Sequence, residues 1–216
     1  GGQASVQLER GALDFPGFFD QPRLEFDRLQ TELQWTIDGD RIQVEVPQLS
    51  FANADAAGQA KGRWQTSDPA SSAVNSTPRS RFPGRLELDA TLSRADGTRV
   101  HRYLPLTIDA EARRYVREAV RAGRASQVAF RLQGDMDGMP FKNPAAPSEF
   151  RITADLSAVD FDYLPASFQS AGDAPWAGLR GFSGQLVLDH LNLRVTGGTS
   201  GLAGAAGVRL SEGEVA

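Results

Sequence analysis

The chain carries two histidines, His101 and His190, almost ninety positions apart. Neither has another His, a Cys or a carboxylate at the spacing that closes a zinc site, so no metal is expected there. A Ser-His-Asp relay is open to sequence distance, but there is no Gly-x-Ser-x-Gly elbow, and Ser71, Ser72 and Ser76 lie in a loop-like stretch. Asp135-Met136-Asp137-Gly138 alternates carboxylates as a calcium loop does, yet Pro140, Phe141 and Lys142 fill the later ligand positions. A turn is the better reading, with Met139 and Phe141 tucked into the core. Asp160 and Asp162 stand two residues apart, a spacing that a general acid/base pair and a solvated strand face share, and the solvated face is favoured. Gly197, Gly198, Gly201, Gly204 and Gly207 follow a strand-like run but match neither phosphate-cradling pattern, so they read as a hairpin and a strand of small residues. Trp35, Trp64, Phe130, Phe161 and Trp176 have rings able to stack a sugar or a base, and their strand alternation favours core or groove lining instead. No catalytic residue, metal or cofactor is therefore expected. An enzyme reading would rest on scattered carboxylates alone.

The elements that position these residues are mostly strands. Apolar residues alternate at Leu24/Phe26, Leu33/Trp35/Ile37, Ile42/Val44/Val46, Leu86/Leu88/Ala90/Leu92, Val128/Phe130/Leu132, Phe150/Ile152/Ala154/Leu156 and Leu191/Leu193/Val195. Period-2 alternation gives strands with one apolar and one polar face. Asp38-Gly39-Asp40 reads as a short hairpin and Asp96-Gly97 as another turn, so antiparallel neighbours are the default. One segment breaks the pattern: Ile108, Ala112, Tyr115, Val116, Ala119 and Val120 share one face of a helix predicted at about 108–122, capped by Asp109 or Thr107 and closed near Gly123. The fold class is mainly β, a curved antiparallel sheet, groove-like or partly open and barrel-like, with one amphipathic helix over one face or at one end. Loops are expected at 67–84, 134–148 and 165–175. The first divides the chain into a strand-rich block at 1–66, a flexible linker or loop at 67–84, and a strand-helix-strand block at 85–216, with a sheet shared across both blocks as the alternative.

Composition narrows the class. With 216 residues and 40% hydrophobic content, the chain can bury a core. Glycine (22) and proline (12) are raised, yet fall short of the ~25–30% that marks disorder. A formal charge of −4 and scattered basic residues argue against nucleic acid, which needs clustered Lys and Arg. Cysteine is absent, so disulfides and thiolate chemistry are not available. No stretch reaches the ~18 apolar residues of a membrane helix. Strand-like alternation begins at Val6 and Leu8, and the expectation is a segment of a longer protein.

Within residues 100–195 an ordered set of short motifs is recognisable. Tyr103-Leu104-Pro105 precedes the helix; Ala122-Gly123 follows it; a strand ends at Leu132-Gln133-Gly134. Then come Met139-Pro140-Phe141, the strand of Phe150-Arg151-Ile152, a strand over 159–164, Pro175-Trp176 with Leu179 and Gly181, and a strand from Leu186 to Leu193. In this order they resemble the AsmA-like superfamily, most closely the YhdP family of large Gram-negative envelope proteins, and residues 24–64 look like further strand repeats of the same kind. The resemblance implies a periplasmic segment of an inner-membrane-anchored protein, built of repeating β-groove units, with adjacent repeats of the same chain as neighbours. It also implies a non-enzymatic role, in which an apolar groove shields phospholipid tails between inner and outer membranes. On that reading Val128, Phe130, Leu132, Phe150, Ile152, Leu186 and Leu188 line the groove. Independently, a single helix cannot cover about ten strands, so the apolar face either folds onto itself or stays open as a groove. The alternative function is a structural or protein-interaction β module whose sheets close into a sandwich and whose edges bind a partner.

Overall fold

The computed structural model describes residues 1–67, 81–138, 148–172, 174, 176–202, 205–211 and 214–215. Ser71, Ser72, Ser76, Met139, Pro140, Phe141, Lys142, Pro175 and Gly204 lie outside them. The strands are β1 (Gly2–Asp14), β2 (Arg23–Asp38), β3 (Arg41–Ala52), β4 (Ala56–Gln65), β5 (Arg85–Asp96), β6 (Val120–Asp135), β7 (Glu149–Phe161), β8 (Leu179–Asp189), β9 (Asn192–Thr196), β10 (Thr199–Leu202), β11 (Ala205–Ser211) and β12 (Glu214–Val215). The helix α1 spans Ala110–Ala119.

All the strands form one antiparallel, curved, open sheet. Each strand from β1 to β8 pairs with the next in sequence, and the outer edge of β8 is shared by β9 and β10. Gly197 and Gly198, both at positive φ, kink what is otherwise one strand into β9 and β10; β11 and β12 lie alongside them. β4 and β5, on either side of residues 67–84, are direct neighbours from Gln65↔Arg85 to Ala56↔Ala95.

Cross-strand partners share a face, so the register can be followed across the sheet. One row runs Val6, Thr31, Leu49, Ala60, Ala90, Phe130, Ile152, Leu188, Leu193. The next residue along each strand gives Gln7, Gln30, Ser50, Gln59, Thr91, Ala129, Thr153, Val187, Arg194. One face is apolar across its width apart from Thr31, and the other is largely polar. Register shifts near Thr31/Gln34, Val46/Leu49, Ala57/Gly58, Ser126/Ala129 and Leu156/Val159 add residues to one strand of a pair, which bends it and increases its twist. At Gly58 and Gly62 the backbone of β5 comes close to β4. A Cβ at Gly62 would stand 2.9 Å from the Glu87 carbonyl oxygen, and one at Gly58 would collide with the Thr91 carbonyl.

The β5–β6 connection lies at the strand tips. Asp96 caps a 3-10 turn, Gly97–Tyr103, by accepting from Thr98 N–H. Asp109 caps α1 by accepting from Glu111 and Ala112. The helix is shorter than its periodicity suggests, because Val120 already pairs with Phe161 as β6 begins. Likewise Phe150 and Val159 belong to one strand, β7, interrupted by Ala158 at φ 52. The 186–193 segment holds a turn at His190 between β8 and β9.

A candidate apolar groove

The seven residues singled out from the sequence sit on three adjacent strands and one face. Leu132 pairs with Phe150, Phe130 with Ile152, and Ile152 with Leu188, while Leu186 faces Ala154. The Phe130 and Phe150 rings meet edge to face at 5.9 Å. Val128 joins a second row, Leu8, Leu29, Phe51, Gly58, Leu92, Val128, so the face continues through β5 to β1. Trp35, Val44, Trp64 and Leu86 form a further row toward the opposite tips. Alternation in β2, β3 and β5 was legible in the sequence. What it lacked was register, which alone shows that those strands present their apolar sides together with β6 to β8.

Little covers this face. Among the described residues every extensively contacting pair of strands is a hydrogen-bonded pair, so there is no second sheet and no sandwich. Helix α1 packs on the 3-10 turn, the start of β6 and residues 161–168, and no other described element covers the middle of the sheet. Val128 and Leu132 are buried between neighbours, but Phe130, Phe150, Ile152, Leu186 and Leu188 are only half-buried, and no large side chain among the described residues is fully buried. The densest packing is at the β1/β2 side, where Leu24, Phe26 and Leu29 meet Leu8, Leu13, Phe19, Leu49, Phe51 and Tyr103. The outer face carries exposed cross-strand ion pairs: Arg131 with Glu149 at 2.8 Å, Arg151 with Asp189 at 3.2 Å, Arg63 with Glu45 at 3.6 Å.

A polar clasp holds the crossover against the tips. Asp55, in the β3–β4 turn and 9% exposed at its side chain, binds Arg102 at 2.5 Å and accepts from the Tyr103 hydroxyl at 3.0 Å. Asn53 donates to that hydroxyl at 2.9 Å and closes its own turn by accepting from Asp55 and Ala56 N–H. Burial, above all, raises the Tyr103 pKa. Burial likewise lowers that of His101, followed by Arg117, Arg99 and Arg102, against an opposing hydrogen bond with the Thr98 carbonyl. Beside the clasp lies a cavity of about 410 Å³ whose walls mix Arg10, Asp27 and Asp55 with Leu24 and Phe26.

The residues with possible chemistry are dispersed. His101 sits in the crossover at one set of tips, and His190 at the β8–β9 turn beside Asp189. Asp160 accepts from Gly181 N–H, and Asp162 pairs with Arg180 at 2.5 Å, so both hold strand ends together. Asp135 accepts from Asp137 N–H in a turn. Among the described residues no cluster of His, Asp and Glu could hold a metal, and no helix is long and apolar enough to cross a membrane. A family model described as YhdP protein matches residues 1–211. No curated protein and no solved structure matches the chain.

Proposed function

Since the chain belongs to the YhdP family, a family of envelope proteins, we propose that it is a non-enzymatic segment of a periplasmic conduit whose apolar face shields phospholipid acyl chains between inner and outer membranes. The observation that carries this reading is the nine-strand row, apolar but for Thr31, with no second layer above it among the described residues. A folded sheet that leaves such a face half-buried is short of a partner, and an acyl chain supplies one at about 0.8 kcal/mol per buried CH₂. Because many side chains share the contact, no single residue is essential. Val128, Phe130, Leu132, Phe150, Ile152, Leu186 and Leu188 are the proposed lining of its β6–β8 portion. The outer edge of β1 pairs with no other described strand, which favours an adjacent repeat of a longer chain as the neighbour on that side.

Solvent extraction of the purified chain followed by mass spectrometry tests the proposal. Phospholipid that co-purifies in stoichiometric amount is expected. A lipid-free protein that also takes up no fluorescent phospholipid would leave the interaction module as the better reading.

A further inference from the structure

The turn between β1 and β2, residues 15–22, is firmly braced and yet shows phenylalanine to water. Phe15 N–H donates to the Pro22 carbonyl at 2.8 Å, and Phe18 N–H to the Phe15 carbonyl at 3.2 Å. The Phe18 carbonyl accepts from Leu106 N–H at 2.9 Å, and Phe19 bridges to Pro105. Asp20, the turn's one charge, is paired with Arg113 at 3.1 Å, and Gln21 accepts from Arg102 at 2.9 Å. Phe18 nevertheless remains 52% exposed, Leu106 40% and Phe15 36%. Gly17, at φ 75, faces open space. The fold requires only Phe19, which packs inward on the cluster around Leu24 and Phe26. Rings then connect outside to inside: Phe18 lies 4.6 Å from Phe19, Phe15 lies 5.9 Å from it, and Phe26 meets Phe51 at 6.4 Å. Phe51 stands in the same apolar row as Val128.

We propose that this tip dips into a phospholipid layer and passes acyl chains along Phe18, Phe19 and the Leu24/Phe26 cluster into the groove, an inference that rests on the groove reading. A protein partner fits less well. Stable interfaces bury ~800 Å² per partner, more than three side chains on a projecting turn supply, whereas a lipid interface accepts a few aromatic and aliphatic groups beside paired guanidiniums.

The absence of cysteine makes the test site-specific. An environment-sensitive fluorophore on Phe15→Cys, with Phe18 in place, reports insertion into vesicles of phosphatidylethanolamine and phosphatidylglycerol, and the same label on Gly39→Cys, at the opposite tips, serves as control. A blue shift at position 15 alone is expected. In parallel, transfer of fluorescent phospholipid from vesicle to protein should slow about tenfold in Phe18→Ser, recover in Phe18→Leu, and reach the same final occupancy in all three proteins. No shift at position 15, equal shifts at both sites, or an unchanged Phe18→Ser rate overturns the proposal. Failure of every protein to take up lipid overturns the groove reading instead, whatever the label reports.

Discussion

At the residue scale the most consequential contacts join side chains some fifty positions apart. Tyr103 was legible as a motif residue before the helix, but that its hydroxyl reaches Asn53 and Asp55 follows only from β3, β4 and β5 being neighbours. Asp55→Ala would leave the largely buried Arg102 without its carboxylate and the Tyr103 hydroxyl without its acceptor, so a loss of about 3 kcal/mol is expected, measured as a lower urea midpoint. Tyr103→Phe, which removes only the hydroxyl, should cost about 1–2 kcal/mol. His101 offers a pH readout. Its folded-state pKa lies below the ordinary ~6.5, so below that pH the unfolded chain binds more protons. Its contribution is therefore complete above about pH 6.5 and is lost as the pH falls toward the folded value. Wild type should lose more stability than His101→Gln between about pH 7.5 and about pH 5.5. In the proposed groove, Phe130→Asp puts a carboxylate in the middle of the long apolar row; co-purifying phospholipid should fall several-fold while the circular dichroism spectrum is kept.

At the element scale, most strands were readable because each of those shows its own two-residue period, and the helix because α1 keeps an apolar stripe and an Asp109 cap. Asp109→Ala should destabilise by about 1 kcal/mol in thermal unfolding. Less readable were the places where period and pairing disagree. The run at β7 looks like two strands, because Ala158 at φ 52 shifts the alternation by one, and only the pairing with β8 on both sides of that shift shows a single bent strand. The 3-10 turn Gly97–Tyr103 was missed too, since its one local signal, Asp96 capping Thr98, is also a turn signal. Curvature depends on positions that look featureless in sequence. Gly58 reads as a weak strand residue, but its missing side chain lets β5 approach. Gly58→Val must push two backbones apart, and a loss above about 2 kcal/mol, or failure to fold, is expected, whereas Gly39→Ala at an open turn should cost about 1 kcal/mol from its positive φ alone.

At the scale of the whole molecule, the sequence left two outcomes open, a sheet closed onto itself or one left open, because amphipathic alternation is identical in both. Pairing decides between them: among the described residues β1 joins only β2, and the order runs on to β11 without returning to β1. Helix α1, expected over one face or at one end, is held at the strand tips by polar contacts, among them Arg113 with Asp20 and the Tyr115 hydroxyl with the Tyr163 carbonyl at 3.0 Å. Tyr115 of its apolar stripe meets Phe161 and Phe168 edge to face.

The unbroken meander also bears on how the chain is made. With β1 to β8 each paired to its successor in sequence, energetic coupling is close to nearest-neighbour, as in a solenoid, and structure can propagate from whichever hairpin forms first. A polypeptide emerging end first needs no distant partner to dock its next strand; the template is always the one just laid down. Unfolding should then be graded along the sheet, with the β1/β2 side, where Leu24, Phe26 and Leu29 are packed, exchanging its amide hydrogens last.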